Sequence, residues 1–356
     1  MLSSHLAPVA SLAVLLTLAS GCAQGGPADL RRSRTGGEDA GGASRADAGP
    51  RGADAGPAAS PPPPTRPPDV PGGVPRDYVV SLLQVAGELP AGSGMVPGFD
   101  LDGHDTTSAA DPVGCGRTDF ASPPRFGSYG GVDSQIGVLL HDAAAAVAGF
   151  DANAELEASV TRGGTLLLVR LIDVGDPVDD GHVEVLLYLG KMADPAMAPR
   201  VETVTWEGAP HVVLSSGQHF VIDARSIVGG DPAHPLIAFR DAWIEGGRLL
   251  SAPATFTVDI GLPGDRSVAL SLERAQLAFD LGPAGLANGV VGGSLSVDAF
   301  SAAVVTLAND PAVTAGLVRT IVATRADIDA DGAAGCEAIS LGLVLEATSA
   351  IVGGSR

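Results

Sequence analysis

The residues best able to do chemistry are aspartates in two glycine-punctuated runs. The first lies between Gly98 and Gly137 and carries Asp100, Asp102, Asp105, Asp111, Asp119 and Asp133, with Cys115 among them. The second is Asp327-Ile-Asp329-Ala-Asp331-Gly332, followed closely by Cys336. Carboxylates at alternate positions can converge on one hard cation, and a glycine beside them permits the sharp turn this needs. The second run matches the first half of a calcium loop only. Its twelfth position is Ala338, Glu337 stands one residue early, and a strand pattern follows where a helix would be required. In the first run the glycine, Gly103, is displaced. Taken singly, each run reads as a solvated turn whose aspartates bond their own backbone. Taken together, Asp100, Asp102, Asp105, Asp327, Asp329 and Asp331 would crowd six carboxylates, and a shared calcium ion would relieve the crowding.

The cysteines give a reason to join the runs. The first 22 residues contain no Asp, Glu, Lys or Arg, and Leu6 to Leu18 is an apolar stretch of signal-peptide length, too short to span a bilayer. It ends in Leu18-Ala19-Ser20-Gly21-Cys22, which resembles the lipobox of bacterial lipoproteins. That resemblance implies cleavage before Cys22, a diacylglyceryl group on its sulfur and a further acyl chain such as palmitate on its amine. The chain departs from the usual signal peptide in having only His5 for a basic n-region. An exported protein is an oxidised one, so the two remaining cysteines are expected to pair as Cys115–Cys336. A bridge closing so long a loop typically contributes about 2–4 kcal/mol.

Other chemistry is thinly represented. His104, His141, His182, His211, His219 and His234 show no zinc spacing; His211 and His219 are expected across a hairpin turn. There is no Gly-x-Ser-x-Gly elbow, and the Gly289–Gly293 run reads as turns. No catalytic residue is therefore assigned, and the expectation is a non-enzymatic protein. A net charge of -20 excludes nucleic acid as a partner, because its phosphates would be repelled.

The elements that must position these residues follow a simple order. Residues 1–21 form the signal peptide. Residues 22–75 form a Pro-, Gly- and Asp-rich linker unable to bury apolar surface, spanning on the order of 40 Å when flexible. Residues 76–356 form one globular domain. It opens with a strand over Tyr78–Ala86 and a helix from Ser134 to Phe150 capped by Asp133. Short alternating strands then run from Leu166 to Phe279, with a change of phase at Glu273-Arg274 that marks a bulge. Helices follow near Phe300–Leu307 and beyond Asp310-Pro311, and a strand from Ile339 closes the chain. The predicted class is α+β and β-rich, an antiparallel sandwich or barrel-like sheet with a few covering helices.

The order of lipobox, linker, GFDLDG, cysteine, GVDSQIG, strands and CEAISLGLVLEA resembles envelope lipoproteins of large GC-rich Gram-negative genomes. The resemblance implies a cell-envelope location and transfers no site beyond Cys22. Ala23 after the cysteine favours the outer membrane by analogy. The partners this predicts are the membrane, through the lipid anchor, and an envelope protein, glycan or lipid. A calcium-stabilised glycan- or lipid-binding protein is the first alternative, and a carboxylate-dependent hydrolase the second.

Overall fold

Strand β1 (Arg76–Val85) pairs antiparallel on one side with β2 (Leu167–Ile172) and on the other with the final strand, β12 (Ala338–Ser355). This double pairing closes the sheet. From β2 the ladder continues through β3 (Asp180–Met192), β7 (Ile237–Glu245), β8 (Arg248–Ser251), β10 (Arg266–Leu281) and β11 (Gly285–Ser296), and returns to β12. The eight strands form a closed antiparallel barrel whose order follows the chain apart from excursions that lie outside it. The computed structural model describes residues 66–107, 115–127, 129–146, 151–262, 266–308, 313–329 and 335–355. The signal peptide, Cys22, most of the linker, Asp111, Asp310-Pro311 and Asp331 lie outside them.

The excursions are β4 (Val201–Trp206) with β5 (Ala209–Leu214), a separate two-stranded hairpin, and β9 (Ala254–Leu262), which pairs only with β10. Strand β6 (Gln218–Ile222) bridges β3 and the far end of β12, and its pairing with β12 is parallel. Alternation along each strand sends every second side chain inward. Tyr188, Phe239, Phe279, Leu168, Leu171 and Ile244 are fully buried within one apolar cluster drawn from all eight barrel strands. Leu168 and Leu171, three apart on the regular strand β2, show that the cluster covers both faces of the wall. An eight-stranded barrel has an interior just wide enough for side chains to fill.

Among the described residues, four α-helices cover the barrel. Helices α1 (Gln135–Ala146) and α2 (Ala152–Thr161) connect β1 to β2; α3 (Val297–Ala308) and α4 (Ala315–Ala323) connect β11 to β12. Ile136, Leu139, Val160, Val304, Val318 and Val322 seat them on the core. No helix among the described residues is long and apolar enough to cross a membrane.

The α+β, β-rich class and the barrel alternative hold, and so does the bulge. The β10 register slips between Glu273 and Gln276, where Arg274 has φ 52°. Several local expectations change. Helix α2 was not foreseen; Asp151 caps it by accepting the N–H groups of Asn153 and Ala154. Helix α4 is capped by Thr314, which accepts the Leu317 N–H. The Gly289–Gly293 run is strand, not turn: a Cβ on Gly289 would stand 2.5 Å from both the Leu345 carbonyl and the Phe279 ring. His211 and His219 sit on β5 and β6, which do not pair with each other. Asp133 does not cap α1. The Gln135 N–H is satisfied by the Ser340 hydroxyl at 2.8 Å, and the Asp133 carboxylate is used elsewhere.

Candidate metal centre

Beyond β1 the chain leaves the barrel at Ala86, whose N–H bonds the Gly342 carbonyl, and wanders as loop until α1. Isolated backbone bridges fold this loop, and the later acidic run, back on themselves. Phe99 pairs with Asp133, Phe120 with Val132, and Ile328 with Ala338 at the head of β12. Both acidic runs thereby meet at the end of the barrel where β1 finishes and β12 starts. The disulfide Cys115–Cys336 ties them together, joining residues 221 apart with a Cα–Cα distance of 5.8 Å. The expected pairing is thus present, and it sits four residues before Asp119 and two residues before Ala338.

Turn chemistry aims the first carboxylates. Asp100 accepts the Gly103 N–H at 2.6 Å, and Asp102 accepts the His104 N–H at 2.8 Å. Each is an Asp-turn bond that fixes the side chain against its own loop. Gly131 makes room: a Cβ there would lie 2.9 Å from the His104 carbonyl and 3.3 Å from the Asp100 carboxylate. One oxygen from each of Asp100, Asp102 and Asp133 falls within 4.8 Å of the others. Calcium–oxygen bonds are about 2.3–2.6 Å, so oxygens sharing one ion lie at most about 5 Å apart. Three carboxylates without a nitrogen or sulfur donor make a set for a hard cation.

Asp133 is the least comfortable member. It is 2% exposed, and its Oδ2 accepts the Leu101 N–H at 2.7 Å. Its Oδ1 is buried and has no hydrogen-bond partner among the described residues. Burial pushes the Asp133 carboxyl up to about 9, and the charge of nearby Asp327 pushes the same way. Asp327, 4% exposed, is better served. Ser340 donates its N–H to one oxygen at 2.8 Å and its hydroxyl to the other at 2.5 Å. Burial still raises the Asp327 carboxyl to about 7, against the pull of those two bonds, and Asp102 and Asp119 add to the rise. Asp119 is raised by burial as well, although it accepts the Thr106 N–H at 2.8 Å. Ser340 links the buried Asp327 to the first N–H of α1, so the acidic centre is built into the junction of a helix and a barrel strand.

The six residues nominated from sequence separate accordingly. Asp100 and Asp102 meet, and Asp327, outside their trio, is close enough for its charge to act on Asp133 and for the Asp102 charge to act on it. Asp105 turns away: its carboxylate accepts the N–H and hydroxyl of Thr107, which hold it below the usual carboxylate range. Asp329 is not part of the converging trio, and Asp331 lies outside the described residues. Asp133 and Asp119 were missed as site residues. Asp133 stands directly ahead of an amphipathic helix, where an aspartate usually caps. No family model matches this chain, and neither does any curated protein or solved structure.

Proposed function

We propose that this is a cell-envelope lipoprotein, anchored through Cys22, whose barrel is a non-enzymatic binding or structural domain stabilised by one calcium ion. The observation that carries the calcium part is the buried Oδ1 of Asp133, without a hydrogen-bond partner among the described residues, in a carboxylate trio of coordinating dimensions. A bare buried carboxylate is expensive, and a divalent cation is the partner that three of them suit. Asp100, Asp102 and Asp133 would hold the ion, with Asp119 and Asp327 adding negative charge around it. The lipobox-like Leu18–Cys22 and the Cys115–Cys336 bridge support export and anchoring, in the outer membrane by the Ala23 analogy. A hydrolase would need its shifted carboxylates facing a substrate, whereas Asp133 and Asp327 are almost wholly enclosed.

Thermal unfolding of the full chain, in EDTA and then in millimolar Ca²⁺, tests this reading. An ion that binds only the native state at a hundred times its Kd adds about 2.7 kcal/mol. The expected result is a rise in melting temperature of several degrees that magnesium does not reproduce. An unchanged melt would retire the metal.

A further inference from the structure

The β4–β5 hairpin stands outside the barrel, and its two edges are built differently. Its turn, Glu207-Gly208, has φ of 52° and 76°, the paired positive values of a type I′ turn that matches the strand twist. The β5 edge is closed. Pro210 has no N–H to offer there, and Val212 donates its N–H to Glu157 Oε1 on α2 at 3.0 Å. The other oxygen of Glu157 lies 2.8 Å from His211 Nδ1 and fixes the carboxylate in place. The β4 edge is open. Among the described residues no strand other than β5 pairs with β4, and Val201 to Thr205 are exposed throughout. Natural sheets blunt such an edge with lysine, proline or a bulge. The β4 sequence, Val-Glu-Thr-Val-Thr-Trp, has neither residue, its register with β5 is unbroken, and β-branched strand formers dominate it.

Backbone parity decides what this edge can accept. The Val212 N–H turns away from β4, so the backbone groups of Thr203, its partner across the hairpin, turn away from β5. By alternation Val201 and Thr205 do the same. An antiparallel copy of the same strand, related by a two-fold axis at Thr203, meets all three residues at once. Thr203 then faces its own counterpart and Val201 faces Thr205, each pair exchanging N–H···O bonds. The chain's charge of -20 opposes contact between copies, so a stable register must keep like charges apart. This one does: Glu202, the only charged residue of β4, falls opposite Val204 and not opposite itself. We propose that the β4 edge is a homodimer interface, at which two hairpins join across an axis at Thr203 into one four-stranded sheet. The closed β5 edges then end the sheet, so the contact is isologous and stops at the dimer.

Sedimentation velocity of the full chain tests this through a charge exchange at the axis. Thr203 is exposed on a surface hairpin, so substituting it leaves the barrel intact. The unaltered chain is expected to show a concentration-dependent monomer–dimer equilibrium. Thr203→Lys and Thr203→Glu each place like charges directly opposite, and each should weaken dimerisation severalfold. An equimolar mixture of the two variants should recover it as a mixed dimer. A chain that stays monomeric at every concentration overturns the proposal. So does a dimer unmoved by both substitutions, or a pair of variants that remain monomeric when mixed.

Discussion

Asp133 concentrates the physical tension of the molecule in one carboxyl group. Without a cation it keeps its proton near neutral pH, because burial and Asp327 push its titration up to about 9. An unfolded aspartate titrates near 4, so between these values the native state binds a proton that the unfolded state has released. Stability in EDTA should therefore be fully present below about pH 4 and fall as pH rises, through about 7 for Asp327 and about 9 for Asp133. Denaturant melts from pH 5 to 9 would show that fall, and saturating calcium should flatten it by supplying the counter-charge. Asp133→Asn removes the titration altogether. In EDTA at pH 7 the variant should be more stable by on the order of 1–3 kcal/mol, and it should no longer respond to calcium. A variant that is less stable but still calcium-responsive would place the ion elsewhere. The sequence concealed this role for a definite reason. Asp133 precedes a helix, yet Ser340, more than two hundred residues away, takes the helix N–H that Asp133 would have capped. Nothing local distinguishes the two outcomes.

Among the elements, the loops flanking the disulfide matter most. Cys115–Cys336 fastens the first acidic run to the strap leading into β12. Reduction, or Cys336→Ala, should cost about 2–4 kcal/mol and weaken calcium binding, since the bridge holds both loops against the trio. A reduced protein that binds calcium as tightly as the oxidised one would confine the bridge to stability. Strands with a period of two, such as Val183 to Leu189 and Phe256 to Leu262, were legible because alternation is a local property. Strand β11 was not, because its glycines carry no alternating signal; they admit the Phe279 ring and the β12 backbone instead. Helix α2 was equally silent, its one start signal being Asp151. The bridge itself was legible by counting cysteines. The trio was not, because its third member arrives through a tertiary pairing of Phe99 with Asp133.

At the scale of the molecule, β1 runs the length of the barrel and gives it two different ends. At its start the incoming chain is fastened down. Arg66 pairs with Asp241 and lies 4.3 Å from the Trp243 ring centroid. Val70 donates its N–H to the buried Asp180, which also accepts from Gly175, Asp176 and His182. At its finish lies the acidic centre. A chain tethered at Cys22 would thus join the barrel at the end remote from the proposed metal. Closure by β1 pairing with β12 unites segments more than 250 residues apart, which no sequence period can announce. Cys22→Ala should release the protein from the membrane fraction without altering its calcium response. Retention of that variant in the membrane would contradict anchoring through Cys22.

The most direct test of the calcium centre is anomalous diffraction from crystals of the protein grown with calcium. The arrangement described predicts one anomalous peak bonded by Asp100, Asp102 and Asp133 at about 2.3–2.6 Å. Crystals showing no peak among these three carboxylates, or a fully occupied peak elsewhere in the molecule, would contradict it.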